Sequence, residues 1–287
     1  MKIALCTTLA LLAFAGNSIL CRLALGDGAI DAASFTGIRL LSGIIVLAVI
    51  LKITPTSGVS TSKGSWKASF MLFLYAITFS FAYISLETGV GALILFGSVQ
   101  ITMILVGLFS GNKLHYSEWL GVIVAFSGFV YLVLPDLTTP SLIGFILMSV
   151  AGVAWGFYTL AGKGTKNPLS DTAYNFIRTL PLVLILTAIT FQYAALSQKG
   201  ILLAVLSGGI ASGVGYTIWY IALGGLSTIQ AAVLQLLVPV IATIGGVFFA
   251  NEIFTLRLAL SSLMVLGGIM AMIIGRYYSG QYANNIN

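Results

Sequence analysis

Long apolar runs separated by short polar stretches set the pattern of this chain. Each run approaches or exceeds the roughly 20 residues that a helix needs to cross the hydrocarbon core of a bilayer. The fold class is therefore predicted as an all-α integral membrane protein, because the polar connections are too short to hold a soluble domain. Ten spanning helices are predicted, over residues 3–25, 32–52, 66–86, 89–110, 117–135, 142–163, 170–195, 200–223, 227–250 and 257–277.

Composition agrees with this pattern. Of the 287 residues, 59% are hydrophobic and 7% are charged, whereas soluble proteins carry roughly 25% charged residues. The 32 glycines suit close contacts between helices in lipid. Lysine and arginine lie mainly between the predicted helices, so a lipid bilayer is an expected partner and nucleic acid is not. Residues 279–287 form a polar C-terminal tail.

The basic residues also predict the orientation of the chain, since positive charge accumulates on the cytoplasmic side of a membrane. If the N-terminus is cytoplasmic, Lys199 and Arg257 fall on the outer side, with Arg22 at its edge. The inner side then receives most of the basic residues: Lys2, Lys52, Lys63, Lys67, Lys113, Lys163, Lys166 and Arg276. Both termini are therefore expected in the cytoplasm.

The second half of the chain is predicted to repeat the first, because the two halves show weak internal symmetry. Each repeat, 1–137 and 138–278, holds five predicted helices, and this odd number requires the two repeats to cross the membrane in opposite directions. Inverted repeats are typical of secondary transporters and form a binding site between them near the middle of the membrane. A shift of 140 positions aligns Leu226 with Leu86, Thr228 with Thr88, Phe249 with Phe109 and Gly268 with Gly128.

The ninth predicted helix carries residues that weaken a helix. Pro239 cannot donate a backbone hydrogen bond to the carbonyl four residues before it, and Gly245 and Gly246 follow within two turns. Such irregularities are tolerated at membrane depth only where protein or water surrounds them. Together with Gly107 and Gly111 around the end of the fourth predicted helix, these residues are predicted to permit gating movements.

A set of characteristic residues is spread over both halves of the chain: Arg39, Arg178, Trp155-Gly156, Ala222-Leu223, Pro239, Glu252 and Gly267-Gly268, with Gly111-Asn112-Lys113-Leu114, Trp119-Leu120-Gly121 and Gly128 in the first half. With these residues the chain resembles the ten-helix, EamA-type branch of the drug/metabolite transporter superfamily. The resemblance covers nearly the whole chain. It departs from the family pattern at Asn112, where glutamate is usual, and at Val99, where proline is usual.

This resemblance implies a secondary exporter of small metabolites that works by alternating access in a bacterial inner membrane. Within the family the chain is most similar to the YddG-type amino-acid exporters, so amino acids, including aromatic ones, are the expected substrates. A multidrug or other-metabolite exporter, or an uncoupled facilitator of the same fold, is the alternative. A monomer is expected because one chain holds both repeats.

Aromatic residues recur at helical spacing in three predicted helices, where side chains four residues apart share a face. One interpretation is an aromatic wall around an amphipathic substrate. The other is ordinary helix packing, or a belt of aromatic residues at the membrane surface. The residues are Tyr75, Phe79 and Tyr83 in the third helix, Trp155 and Tyr158 in the sixth, and Tyr216, Trp219 and Tyr220 in the eighth.

Uncharged polar residues inside predicted helices are further candidates for a substrate site. Asn17 either contacts the substrate or holds two helices together. Gln100, Gln230 and Gln235 are predicted to line a water-filled path, because polar groups in hydrocarbon usually face a cavity or the interior of the bundle.

Two arginines lie about two turns inside predicted helices, and each is preceded by an aspartate. Asp31 comes eight residues before Arg39, and Asp171 comes seven before Arg178. This spacing predicts two structural ion pairs, or arginines that reach toward the membrane surface. The alternative is capture of a substrate carboxylate by an arginine.

The sequence carries no pattern typical of an enzyme. Gly162-Lys163-Gly164-Thr165 lacks the spacing of a phosphate-binding loop. His115 is the only histidine, so no histidine-based metal cluster is expected. Acidic residues are missing from the middle of the predicted helices. We therefore expect no catalytic residues, no metal and no cofactor.

Overall fold

Helices account for nearly all of the chain that the computed structural model describes, which is residues 2–54, 63–109, 116–133, 140–162, 167–223, 225–226 and 234–284. Among these residues, Ile30 and Leu196 form an isolated antiparallel β-bridge. The α-helices are α1 (Lys2–Leu25), α2 (Ala32–Ile53), α3 (Trp66–Ala82), α4 (Thr88–Phe109), α5 (Tyr116–Val133), α6 (Leu142–Ala161), α7 (Pro168–Arg178), α8 (Leu180–Thr190), α9 (Gln198–Val205), α10 (Gly215–Leu223), α11 (Leu237–Phe249) and α12 (Leu256–Asn284).

Seven stretches of the described chain are helical, long and apolar enough to cross a bilayer, and three shorter apolar helices accompany them. The pair α7–α8 counts as one stretch, Leu169–Tyr193, and α9 with its continuation counts as another, Gln198–Trp219. Large apolar side chains such as Ile45, Leu184 and Leu263 are mostly exposed on the outer faces, as contact with lipid requires. The predicted multi-pass, all-α membrane protein is confirmed.

Several of the predicted helices depart from a single straight helix. The stretch predicted over 170–195 is interrupted at Thr179, because Pro181 lacks the N–H that a continuous helix needs. Between α9 and α10 the chain forms a π-helix, Leu206–Val214, which we call the π segment. At the C-terminus α12 continues to Asn284, so most of the predicted polar tail is helical.

Polar caps fix where several helices begin. Asp31, Ser65, Ser141, Asn167 and Ser197 each accept a hydrogen bond from the backbone N–H three residues later. These bonds satisfy N–H groups that have no partner within the helix and stabilise each helix by about 1 kcal/mol. The caps therefore fix the entry points of α2, α3, α6, α7 and α9.

The packing pairs elements from opposite halves of the chain. The π segment, α10 and α11 pack on α1, while α3 and α4 pack on α6. Likewise α5 packs against α12, α4 against α11, and α2 against α7 and α8. We call the end of the bundle where α1 finishes the Leu25 end, and the opposite end, where α2 finishes, the Ile53 end.

Candidate functional site

Side chains from α1, α2, α3, α6, the π segment and α10 meet in the interior of the bundle. Seven of the eight are almost completely buried, and the eighth, Trp155, is half-buried. We call this group the central cluster, and its members are Asn17, Arg39, Tyr75, Phe79, Trp155, Tyr158, Ser207 and Tyr216.

Trp155 connects the aromatic side chains of the central cluster. Its ring centroid lies 4.8 Å from that of Tyr75 on α3, 5.2 Å from that of Tyr158 on α6, and 5.2 Å from that of Tyr216 on α10. Pairs at these distances contribute about 0.5–1.5 kcal/mol beyond the burial of their surface. The tryptophan therefore joins helices from both halves of the chain through its rings.

Asn17 connects the polar side chains of the cluster. Its Oδ1 accepts a hydrogen bond of 2.6 Å from the hydroxyl of Ser207 in the π segment, and its Nδ2 donates to the Tyr75 hydroxyl at 3.5 Å. The Ser207 hydroxyl also lies 3.8 Å from the sulfur of Cys21. Asn17 thus contacts two other helices, as predicted for a residue that holds helices together, and lies beside the aromatic wall as well.

Arg39 is the charged member of the cluster and is only 2% exposed. Its Nη2 donates to the Tyr75 hydroxyl at 3.0 Å, and its guanidinium carbon lies 5.2 and 4.9 Å from the ring centroids of Tyr75 and Phe79. Its Nη1 is buried and has no hydrogen-bond partner in the part of the chain that the structure describes. Among the described residues, no carboxylate forms an ion pair with it.

The predicted ion pair between Asp31 and Arg39 does not form. Asp31 is the N-cap of α2: its Oδ1 accepts from the backbone N–H of Ser34 at 2.9 Å, and its Oδ2 from that of Ala195 at 3.0 Å. Burial alone would raise the pKa of this carboxyl, but these hydrogen bonds hold it below its usual value of 3.8. The aspartate therefore remains at the Leu25 end, separated from the guanidinium.

Asp171 and Arg178 contact backbone atoms of the chain that leads into α3. Asp171 accepts a hydrogen bond of 2.7 Å from the N–H of Gly64, and Arg178 donates to the carbonyl of Lys63. Between them, Asn175 accepts from the N–H of Ser65 at 2.9 Å. We call these contacts of α7 the Ile53-end tether, since they join the two halves of the chain at that end.

The opposite end is joined by a second polar group, which we call the Leu25-end latch: Arg22, Thr88 and Glu252. The carboxylate of Glu252 accepts from the backbone N–H of Thr88 at 2.8 and 2.9 Å and from its hydroxyl at 3.0 Å. Arg22 Nε lies 3.3 Å from the same carboxylate. The negative charge is thus placed at the N-terminus of α4, where the helix dipole favours it.

Glu87 lies next to the latch and is half-buried. Its partial burial, together with the negative charge of Glu252, raises its pKa above the usual 4.5, while Arg22 opposes that rise. The protonated form of Glu87 is therefore favoured by the folded protein, so this group contributes stability at low pH that is lost as the pH rises through its raised pKa.

The remaining predicted site residues lie outside the central cluster. The hydroxyl of Tyr83 donates to the carbonyl of Thr88 at 3.3 Å, beside the latch. Trp219 packs on Phe14, with ring centroids 5.7 Å apart. Gln100 is buried in α4, with no hydrogen bond to the cluster among the described residues, and Gln235 is half-buried just before α11. Gln230, Gly111 and the Tyr220 side chain lie outside the described residues.

The predicted gating residues have identifiable packing. Pro239 lies in the first turn of α11, where a missing N–H costs little, so it is not the interior helix defect that the sequence predicted. A side-chain carbon at Gly245 would overlap the Ile19 side chain, and one at Gly246 would overlap the Glu252 carboxylate. The two glycines thus allow close contact of α11 with α1 and with the latch. Gly107 lies near the end of α4.

Two apolar grooves, of about 320 and 380 Å³, lie away from this site. One is lined by α11 and α12, and the other by α3 and α6, and neither includes a residue of the central cluster. The cluster side chains instead contact one another. A molecule that binds among them must therefore separate the rings or replace some of their contacts.

Comparison with known proteins gives consistent matches. The EamA-like transporter family model matches residues 142–274. An uncharacterised protein of Pseudomonas aeruginosa is 46% identical over 272 residues, which cover 95% of this chain and 94% of that one. A probable amino-acid metabolite efflux pump of Escherichia coli is 22% identical over 229 residues, covering 71% and 77% of the two chains. A protein of known crystal structure shares the fold with a TM-score of 0.65 and 16% identity, over 93% of this chain and 97% of that one.

Proposed function

Because the chain belongs to the EamA-like transporter family and is a multi-pass membrane protein, we propose that it exports amino acids or similar small metabolites by alternating access. The central cluster is the observation that carries this proposal, since it buries an amide, a guanidinium and four aromatic rings between the two halves of the chain. The similarity to a probable amino-acid metabolite efflux pump supports the substrate class.

We propose further that residues 1–137 and 138–278 are inverted repeats. Under the repeat alignment, α6 corresponds to α1, α3 to the segment from α9 to α10, and α4 to α11. The packing partners correspond under this alignment as well: α6 packs on α3 and α4, and its counterpart α1 packs on α10 and α11. Such an exchange of partners is expected when a two-fold axis relates the halves.

The two ends of the bundle supply the gates of this mechanism. The Leu25-end latch joins Arg22 and Thr88 of the first half to Glu252 of the second. The Ile53-end tether joins the chain before α3 to Asp171 and Arg178 of the second half. Alternating access follows if one group separates while the other stays closed, with the interruption at Thr179, the π segment and the start of α11 absorbing the change.

We place the Leu25 end outside a bacterial inner membrane and both termini in the cytoplasm. This orientation predicts that a Thr138→Cys variant, with Cys6 and Cys21 replaced by serine, reacts with an impermeant thiol reagent in intact cells. Thr138 lies outside the described residues, within a connection between α5 and α6. An Asn287→Cys variant in the same background is the control and should react only after permeabilisation. The reverse result for the two variants would invert the orientation.

The transport proposal predicts that purified protein in liposomes exchanges at least one labelled amino acid at a rate well above that of protein-free liposomes. The measurement is uptake by liposomes loaded with unlabelled amino acid, over a panel of amino acids, with and without a pH gradient. Acceleration by the gradient indicates coupling to protons, and no acceleration indicates a facilitator. Exchange of apolar drugs, with no amino acid exchanged, would replace the proposed substrate class with a multidrug one.

The same assay tests the central cluster through Trp155→Ala. We expect exchange to fall about tenfold, which corresponds to about 1.4 kcal/mol of lost binding. Phe157→Ala is the matched control, because Phe157 lies on the outer face of the same helix and its side chain is 45% exposed. Equal losses in both variants, or a fall in melting temperature that accounts for the lost exchange, would support a packing role for Trp155.

A further inference from the structure

We propose that Arg39 binds the carboxylate of the substrate, so that the site selects molecules with a free carboxylate group. This inference rests on the proposed export function and specifies the chemistry of the molecule exported. Three features carry it: a buried charge without a carboxylate partner among the described residues, a donor on that charge without an acceptor there, and a neighbouring hydroxyl that can share the ligand.

The first feature is the cost of the buried charge. An arginine side chain stays protonated in proteins, and removing an ion from water costs several kcal/mol unless it is paired. The described part of the chain offers Arg39 one hydroxyl and the faces of two rings, those of Tyr75 and Phe79. Cation–π contacts offset only part of this penalty, so the rest is left uncompensated until an anion arrives.

The second feature is the free donor. Nη2 is engaged by the Tyr75 hydroxyl, whereas Nη1 is buried without an acceptor. Buried polar atoms without a partner are rare in native proteins and often mark a place for a ligand or ion. A planar guanidinium suits a carboxylate in particular, because two parallel N–H groups match its two oxygens.

The third feature is the surroundings of the guanidinium. The Tyr75 hydroxyl accepts from Arg39 and from the Asn17 amide, and a hydroxyl that accepts can also donate its own proton to a ligand oxygen. Beyond Tyr75, the rings of Trp155 and Tyr216 continue the wall and provide apolar surface for the rest of an amphipathic molecule. The position of Asp31 at the cap of α2, away from the guanidinium, keeps an internal carboxylate from occupying this place.

The corresponding arginine of the second half behaves differently. Arg178 is half-exposed and donates to the carbonyl of Lys63 at the Ile53 end. Because it already has an acceptor and access to water, it needs no anionic ligand. Because Arg178 belongs to the Ile53-end tether, its replacement is a control for substrate preference and not for rate: it removes an arginine without the proposed role.

The test compares Arg39→Gln, Arg39→Lys and Arg178→Gln with the full-length wild-type protein in liposomes and in detergent. The probes are the amino acids of the transport panel, and for each one its decarboxylated amine and its methyl ester. We expect wild type to exchange the acids at least 100-fold better than the amines or esters. Arg39→Gln should lose exchange of the acids, Arg39→Lys should retain part of it, and Arg178→Gln should keep the preference for acids.

Thermal melting supplies a readout that a merely structural role would not give. Without substrate, Arg39→Gln should melt no lower than wild type, because the substitution removes an uncompensated buried charge. Saturating amino acid should raise the melting temperature of wild type and Arg178→Gln, and leave that of Arg39→Gln unchanged. Equal exchange of acids and amines by wild type, or an Arg39→Gln protein that melts several degrees lower, would overturn the proposal.

The two proposals fail in distinguishable ways. Exchange of molecules with and without a carboxylate would overturn the role of Arg39 and leave the export function standing. Stabilisation of wild type by carboxylates, lost in Arg39→Gln, with no exchange in liposomes would support the anion site and contradict transport. Failure of carboxylates both to stabilise and to exchange would overturn both.

Discussion

Replacing Gly208 with alanine should lower the free energy of unfolding by about 3 kcal/mol, the upper end of the usual cost of overpacking. Gly208 lies in the π segment where it meets α2, and an added side-chain carbon would overlap the carbonyl oxygen of Arg39 and the hydroxyl of Ser42. A backbone carbonyl cannot rotate away as a flexible side chain can. The two helical segments must separate instead, and the central cluster with them.

Thermal melting in detergent measures this effect, and Gly267→Ala is the matched control. Gly267 lies within α12, and an added carbon there would have no atom within 4 Å. Because alanine favours a helix by about 1 kcal/mol over glycine, the control should melt at or slightly above the wild-type temperature. Similar melting temperatures for the two variants would mean that the π segment can move away from α2 without cost.

Breaking the Leu25-end latch with Glu252→Ala should strongly slow transport. The substitution removes the acceptor of the Thr88 N–H and hydroxyl and the partner of Arg22. Losing hydrogen bonds to a charged group costs about 2 kcal/mol. A cost of that size would shift the equilibrium between the closed and the open form of the Leu25 end roughly 30-fold toward the open form. Exchange should fall at least tenfold, because under the proposed alternating access one of the two gates would no longer close firmly.

Opening of that end has a direct chemical readout in Cys21, which precedes Arg22 and is 0% exposed. In a Cys6→Ser background, Glu252→Ala should make Cys21 react faster with an impermeant thiol reagent. Asp27→Ala is the control, because the ion pair of Asp27 with Lys199 lies at the same end but is mostly exposed, and such pairs contribute little. Unchanged reactivity in Glu252→Ala would refute the latch.

The membrane-spanning architecture could be predicted from the sequence because it depends on local composition. Apolar runs of sufficient length leave a chain few alternatives to helices in lipid. The shared face of Tyr75 and Phe79 follows equally from helical spacing, and their ring centroids lie 5.2 Å apart. The sequence pattern was therefore sufficient to predict features that depend on a single helix.

The predicted pair of Asp31 and Arg39 shows where spacing misleads. Eight residues of helix rise about 12 Å, too far for an ion pair unless both side chains bend toward each other. Asp31 also has a nearer use, since a carboxylate at an N-cap accepts backbone N–H groups at the start of the helix. The local cap therefore prevailed over the more distant charge.

The latch and the π segment depend on contacts that no local pattern encodes. Glu252 reaches Thr88 across 164 positions of sequence, and nothing near either residue predicts the partner. The run Ser207-Gly208-Gly209 gave a signal, because closely spaced small residues permit close approach of helices. It did not predict that the backbone would widen into a π-helix, which reflects the packing of this segment against α1 and α2.

The unpaired guanidinium of Arg39 also bears on how well the membrane stays sealed to ions. A fixed positive charge repels a sodium ion or a hydronium ion about 5 Å away by roughly 3 kcal/mol at an effective dielectric constant near 20. That repulsion lowers the occupancy of such an ion by a factor on the order of 100. The interior of the bundle is therefore a poor path for cation leakage, and under the proposed transport mechanism the cell can keep its electrochemical gradients.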